Sequence, residues 1–250
     1  MEIATSEKPT VAVTGASRGI GHAIVKEFHK EGWEVFTLAR TPFSNVCPWA
    51  EGIVKHIEVD LSHETSILES TQLLKEMLGK RGLNALVNNA GISPKSPDGS
   101  RLSATETTME VFQHVQMVNL IAPLILCNEL LDSLSSVNGA VVNVTSIAGS
   151  QIHPFAGSAY AVSKAGLSAL TRELAFELAE SGVRVNAVSP GEIATSILSP
   201  GTDQIVEEKV PMKRLGSPEE VAEVVAFLCS EKSSYVNGAE IPINGGQHLL

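Results

Sequence analysis

The sequence predicts a single α/β domain built on a parallel, doubly wound sheet of about seven strands with helices on both faces. Three observations carry that expectation. Short β-branched runs alternate with segments of helical periodicity from one end of the chain to the other. The first run, T-V-A-V-T (10–14), passes straight into a glycine-rich turn, an amphipathic segment and a second β-branched run, which is the pattern of a βαβ unit. Hydrophobic residues make up 43% of the 250 residues while aromatics make up only 4%, so the core is Val, Ile, Leu and Ala, which suits strands covered on both faces.

The elements follow in order. After the 10–14 strand and the turn G-A-S-R-G-I-G (15–21), helical periodicity over 22–31 stops at Gly32, a residue that commonly follows a helix end. W-E-V-F-T-L-A-R (33–40) and I-V-K-H-I-E-V-D (53–60) read as the second and third strands. Residues 64–78 read as a helix and A-L-V-N-N-A-G (85–91) as the fourth strand. A polar loop, S-P-K-S-P-D-G-S-R (93–101), precedes a long helix predicted over 105–135 that contains Asn119. A-V-V-N-V-T-S (140–146) gives the fifth strand, 157–181 a helix, and V-R-V-N-A-V-S-P-G (183–191) the sixth strand. A loop with short helices fills 192–213. In 217–230, Ser217 is placed to cap a helix whose first position is Pro218. A-E-I-P-I-N-G-G closes the sheet. Residues 1–9 are expected to form a flexible tail and 10–250 one domain, since no repeat, low-complexity tract or linker interrupts them.

Composition narrows the function classes. A net charge of −10 offers no excess of Lys and Arg to neutralise phosphates, which argues against a nucleic-acid partner. No uninterrupted apolar run approaches the roughly 18 residues of a spanning helix, so no membrane partner is expected. The first residues, M-E-I-A-T-S-E-K-P, lack the basic flank and apolar stretch of a secretory signal, so a cytoplasmic protein is expected. Cys47, Cys127 and Cys229 are scattered, and the seven histidines show no ligand spacing, so neither a disulfide framework nor a metal site is expected.

The glycines of T-G-A-S-R-G-I-G are Gly15, Gly19 and Gly21. Such a turn serves either tight packing or the close approach of a pyrophosphate to backbone N–H groups at a helix N-terminus; its place directly after the first strand favours the second use. Ser17, Arg18 and Ile20 belong to the same loop. A carboxylate at the end of the second strand commonly holds the ribose hydroxyls of NAD, whereas an Arg accommodates the extra phosphate of NADP. Here Ala39-Arg40-Thr41 stands at that place, with Arg18 able to approach from the other side, so NADP(H) is expected in preference to NAD(H).

Tyr160 and Lys164 are four residues apart on a predicted helix and so share one face. A cation beside a phenol favours the phenolate, and Tyr160 is therefore expected to titrate below its ordinary value of about 10. That would suit proton exchange near neutral pH. Ser146, at the end of the fifth strand, is placed to bring a hydroxyl to the same spot.

Taken together these motifs identify the chain as similar to the short-chain dehydrogenases/reductases over nearly its whole length, 14–246. They are T-G-A-S-R-G-I-G, Asp60, N-N-A-G (88–91), Asn119, Ser146, Y-A-V-S-K (160–164), P-G (190–191) with Thr195, R-L-G-S-P-E-E-V-A and I-N-G-G. The resemblance implies a Rossmann fold and hydride transfer between a nicotinamide and a ketone or secondary alcohol. It implies that Asp60 and Leu61 hold the adenine, and that Asn88, Ala90 and Gly91 line the floor of the cofactor cleft. Lys164 and Tyr160 would meet the nicotinamide ribose; Pro190, Gly191, Ile193 and Thr195 would orient the carboxamide. Tyr160 would be the general acid/base, Ser146 would hold the substrate oxygen, and Asn119 would kink its helix and hold a water beside Lys164. Structural alternatives stay open: Pro190 ends a strand, and Asn88 and Asp60 suit turn and helix caps.

The interval from Ser146 to Tyr160 is one residue longer than in many members of the family, so that Ser146 rather than Thr145 is a choice. Two further features depart from the 3-oxoacyl-acyl-carrier-protein reductases, the members the motifs otherwise match. The loop after N-N-A-G is longer, and 120–139 has no Lys or Arg to receive an acidic carrier, which a chain of net charge −10 would repel. A free ketone or alcohol is the expected substrate, carrier-bound fatty-acid reduction the alternative, and a non-catalytic nucleotide sensor a second one. Specificity is expected in 93–103, 147–158 and 192–213. The apolar helices 105–135 and 157–180, paired across two-fold axes as in related enzymes, would make a homotetramer.

Overall fold

The computed structural model describes residues 8–45, 47–195 and 201–250. Seven strands form one parallel sheet: β1 (Thr10–Thr14), β2 (Glu34–Ala39), β3 (Lys55–Glu58), β4 (Ala85–Asn88), β5 (Ala140–Val144), β6 (Arg184–Pro190) and β7 (Glu240–Ile243). Their order is β3-β2-β1-β4-β5-β6-β7. The winding therefore reverses between β1 and β4, and an open α/β sheet places its ligand crevice at the carboxyl ends of the strands beside such a reversal. Strands β1, β4 and β5 are buried throughout, which suits their predominantly Val, Ala and Leu composition.

Helices cover both faces. On one face α1 (Gly19–Lys30) packs against α8 (Pro218–Cys229), and Ile24, Phe28, Val221 and Val225 close the core over Val11, Val13 and Val142. On the other, α2 (Glu64–Leu78), α4 (Ala122–Glu129) and α6 (Ser158–Glu177) bring Ile67, Leu74, Leu126 and Leu174 onto Phe36, Leu86 and Val141. Helix α8 starts as predicted: the Ser217 hydroxyl accepts from Glu220 N at 3.1 Å, Glu220 returns to Ser217 N at 2.7 Å, and Pro218 occupies the first turn.

The seven predicted strands are present, six of them two to four residues shorter than expected; the helix at 64–78 has the expected bounds, while α1 starts three residues earlier and α6 ends four residues sooner. Of the expected tail, residues 1–7 lie outside the described part, while the Pro9 carbonyl accepts from Glu34 N at 2.8 Å and is already tied to the sheet. The long helix expected over 105–135 is a correction. It begins at α3 (Met109–Gln116), capped by Thr108, passes through a π turn at Met117–Ile121, resumes as α4, and ends in a separate turn, α5 (Leu131–Ser135). Pro123 supplies the reason: it has no N–H to give to the Asn119 carbonyl four residues earlier, and its ring crowds that carbonyl, so the helix widens there. The 21-residue stretch Met109–Glu129, with a mean hydropathy of 1.3 over its most apolar 18-residue window, is long and apolar enough to cross a membrane by composition alone. Here it flanks the sheet, with α3 and the π turn against α6 and α4 against α2. In 192–213 one helix is described, α7 (Thr202–Lys209); residues 196–200 lie outside the described part.

Candidate active site

The catalytic candidates meet at the carboxyl edge of β5. Ser146 follows that strand in extended conformation and caps a short turn, Ile147–Gly149, accepting from Ala148 N at 3.2 Å. Helix α6 brings Tyr160 and Lys164 to the same edge, with the Ser146 hydroxyl near enough to the Tyr160 phenol to favour its ionised form. The Lys164 ammonium is buried, donates to the Val144 carbonyl at 2.7 Å, and lies 5.8 Å from the centre of the Tyr160 ring. Packing fixes this approach, since Gly149 leaves no room for a side chain: a Cβ there would stand 2.9 Å from Ala165 N.

Asn119 sits in the π turn, fully buried. Its Oδ1 accepts from Ile92 N at 2.8 Å, and its Nδ2 donates to Ile92 O and to Ser163 Oγ, both at 3.0 Å. The side-chain amide thus ties the strand end after β4 to α6. A Cβ at Gly91 would meet Lys164 Nζ at 3.4 Å and Asn119 Oδ1 at 3.6 Å, so both polar groups flank that glycine.

Titration differs from the expectation. Burial pushes the Tyr160 phenol above its ordinary value, with the Ser146 hydroxyl opposing it. Burial also lowers the Lys164 ammonium, to about 8. The i, i+4 spacing brings Lys164 over the ring but not onto the phenol oxygen, and loss of water outweighs the neighbouring charge.

The glycine turn lies at the carboxyl end of β1. Gly15 has φ +67°, and a Cβ on it would stand 2.7 Å from Ala90 Cα. A Cβ on Gly21 would stand 2.4 Å from Asn89 Nδ2 and from the Gly15 carbonyl. Both positions therefore require glycine. Asn89, within the N-N-A-G stretch, does the tethering: its Nδ2 donates to the carbonyls of Thr14 and Gly15 at 3.0 Å. Thr14 Oγ1 accepts from the N–H groups of Asn89 and Ala90 at 3.0 and 3.1 Å. Whether this turn suits a dinucleotide is tested by what caps α1. The N-cap residue Arg18 makes no side-chain cap, and the first turn carries no acidic residue. Its N–H groups and the positive helix end are left for an anion, so the residues fit a pyrophosphate. Ser17 and Gly19 are partly exposed along the turn, while Ile20 packs on the core behind it.

The remaining candidates are placed as follows. Arg40 is exposed at the end of β2 and close enough to lower Asp60. The Asp60 carboxyl lies below its ordinary value chiefly because the Ser62 hydroxyl and N–H donate to it, at 2.6 and 2.9 Å. Asp60 thus shapes the turn before α2, with Leu61 buried behind it. The Asn88 side chain is buried at the end of β4 and engages the neighbouring strand. Its Nδ2 donates to Asn143 Oδ1, and Asn143 donates to Thr171 on α6, both at 2.9 Å. Beyond Pro190, which ends β6 and is buried, Gly191 packs against Asn244 and Gln247. Ile193 bridges to Gly216, and Thr195 reaches the glycine turn, 3.4 Å from a Cβ built on Gly19.

Sequence reasoning also missed the clasp around the loop before α6. Lys95 and Arg101 pair as an antiparallel bridge; Lys95 Nζ donates to the Phe155 carbonyl, and Arg101 Nε donates to the Ala156 carbonyl at 2.8 Å. In the same loop His153 Nε2 lies 2.6 Å from Glu192 Oε1. P-G-E and H-P-F stood in the sequence as signals, but nothing there pairs two residues 39 positions apart.

Comparison with known proteins places this geometry. The family described as Enoyl-(Acyl carrier protein) reductase matches residues 15–248. Protein FixR of Bradyrhizobium diazoefficiens is 50% identical over 244 residues, covering 97% of this chain and 88% of FixR. The 3-oxoacyl-acyl-carrier-protein reductase FabG of Aquifex aeolicus is 37% identical over 261 residues, covering 98% and 99%. An oxidoreductase of Brucella ovis, described as of the short-chain dehydrogenase/reductase family and solved with a partially ordered NAD, has a TM-score of 0.82 at 48% identity, covering 95% of this chain and 100% of its own.

Proposed function

This chain belongs to the short-chain dehydrogenase/reductase family and is an oxidoreductase of C=O and CH–OH groups; we propose that it is an NADP(H)-dependent carbonyl reductase and alcohol dehydrogenase with Tyr160 as its general acid/base. The observation that carries this reading is the convergence of Ser146, Tyr160 and Lys164 at the carboxyl edge of β5, with the Lys164 ammonium buried against the Val144 carbonyl and 5.8 Å from the centre of the Tyr160 ring. In reduction Tyr160 gives its proton to the carbonyl oxygen, and in oxidation it takes one from the alcohol. The Ser146 hydroxyl holds the same oxygen in place. The Asn119 carbonyl, with no N–H from Pro123, accepts a water that returns a proton towards Lys164 and Tyr160. When bound, the nicotinamide supplies or accepts the hydride at the substrate carbon.

The glycine turn from Gly15 to Gly21 would hold the pyrophosphate, Asp60 and Leu61 the adenine, Ala90 and Gly91 the crevice floor. Lys164 and Tyr160 would meet the ribose, and Gly191, Ile193 and Thr195 the carboxamide. Preference for NADP(H) is supported by the exposed Arg40 and Arg18 and by the lack of a carboxylate at 39–41. The Brucella ovis relative holds NAD, so the two cofactors need to be compared directly. A carrier-bound acyl substrate is less well supported, because 120–139 carries no Lys or Arg. Assembly as a homotetramer is supported by large apolar side chains left exposed, among them Ile121, Val162, Phe176, Tyr235, Leu249 and Leu250.

Tyr160→Phe tests the mechanism. It keeps the ring and removes the acid, so NADPH consumption with an activated diketone should fall by about a hundredfold or more. Cofactor binding, followed by nicotinamide fluorescence, should persist. Turnover comparable to the wild type would sink the assignment of Tyr160.

A further inference from the structure

The short segment after β6 spans the site. Thr195 lies against the glycine turn at Gly19, while Glu192, three positions earlier, reaches His153 in the loop between Ser146 and Tyr160. Glu192 therefore stands at the end of that segment that faces the loop between Ser146 and Tyr160. Its side chain is 7% exposed, a strongly buried position for a carboxylate. The imidazole that meets it is oriented: His153 Nδ1 accepts from Phe155 N at 3.2 Å, so Nε2 carries the hydrogen and donates to Glu192 Oε1. Phe155 and Ala156 are in turn held by Lys95 and Arg101. Among the described residues His153 is the one hydrogen-bond partner of this carboxylate.

A carboxylate offers about four acceptor positions, and a buried one left with a single donor carries a desolvation penalty. A ligand that donates to it offsets the penalty; an apolar chain laid against it adds to the penalty, and an anion is repelled. Resting on the carbonyl-reductase reading, we propose that Glu192, oriented by His153, accepts a hydrogen bond from a substrate hydroxyl. The substrate class is then a neutral hydroxy- or polyhydroxy-ketone and the corresponding polyol, with a hydroxyl close to the reacting carbonyl. Glu192 is a specificity-determining residue and His153 positions it.

Binding of 1-hydroxy-2-butanone, 4-hydroxy-2-butanone and 2-butanone to the protein saturated with oxidised cofactor, followed by ligand-observed NMR titration, tests this without relying on turnover. At least one hydroxybutanone should bind about tenfold or more tighter than 2-butanone. Glu192→Leu should abolish the preference, and Glu192→Gln, which keeps an acceptor without the charge, should retain part of it. In steady-state kinetics the same variants should change the ratio of kcat/KM between the hydroxylated and plain ketones, mainly through KM. Should Glu192→Leu fail to fold, the Gln variant decides alone. No preference in the wild type, or a preference undiminished in the variants, overturns the proposal, and Glu192–His153 is then a loop clasp only. Absence of NADPH oxidation with all three ketones, with the binding preference intact, would defeat the reductase reading and leave this one standing.

Discussion

Lys164 offers a test of the site that needs no substrate. The residue is 3% exposed, and its ammonium donates to the Val144 carbonyl at 2.7 Å and is lowered by burial from 10.5 to about 8. In the unfolded chain it titrates at its ordinary value. Below pH 8 both states hold the proton, and the cost of burying the charge is constant. Between about 8 and 10.5 the folded state releases the proton while the unfolded state keeps it, so stability rises with pH. At about 1.4 kcal/mol for each pH unit, the gain approaches roughly 3 kcal/mol by pH 10. Lys164→Met keeps the stem and removes the titration. Loss of the bond to Val144 displaces its curve as a whole without changing the slope. Urea unfolding of both proteins from pH 7 to 10, without cofactor, gives the difference in stability directly. That difference should grow in favour of the wild type as pH rises. Parallel curves, or a difference that shrinks, would refute the reasoning that burial controls this lysine.

Three other outcomes are expected. With only two tyrosines in the chain, the ultraviolet difference between wild type and Tyr160→Phe isolates one phenol, and in the cofactor-free protein it should ionise above 10; ionisation below 10 would reinstate the effect of the neighbouring cation. The wild type should use NADPH more efficiently than NADH, and Arg40→Asp should move kcat/KM towards NADH; equal efficiency in the wild type would show that the missing carboxylate carries no preference. Light scattering at micromolar concentration should return four times the chain mass of 26.5 kDa, whereas a monomer would leave Phe176 and Tyr235 as ordinary exposed side chains.

Much of the fold was legible because its signals are local. Periodicity placed the seven strands and most of the helices, and Ser217 with Pro218 marked a helix start that the hydrogen bonds reproduce. The glycine turn was legible for the same reason, although the separate roles of the adjacent asparagines were not. Asn88 and Asn89 are neighbours of the same type, yet successive positions at a strand end face opposite ways, so Asn88 enters the sheet–helix core and Asn89 the crevice. The π turn was readable in principle from Pro123, four residues beyond Asn119. Glu192 and His153 were not, since loops carry no periodicity to align them.

The titration of the central pair shows what residue spacing leaves out. Four-residue spacing on a helix fixes that Tyr160 and Lys164 share a face, and from that alone the cation should ionise the phenol. The inference requires Lys164 to be charged when Tyr160 loses its proton. Burial acts on both groups and favours the neutral form of each, which raises an acid and lowers a base. The order of deprotonation is set accordingly: on raising the pH, Lys164 gives up its proton near 8, before the phenol does. In the cofactor-free protein the charge that would stabilise a phenolate is gone by the time the phenol is ready to ionise. A low phenol pKa therefore requires something that keeps Lys164 charged, and hydrogen-bond acceptors around its ammonium are the means available. Val144 O is one such acceptor, and a water held at the Asn119 carbonyl and a ribose hydroxyl of bound cofactor would be two more. On that argument, saturating cofactor should lower the Tyr160 titration in the same ultraviolet difference experiment, and an unchanged value would mean that Lys164 does not govern the phenol.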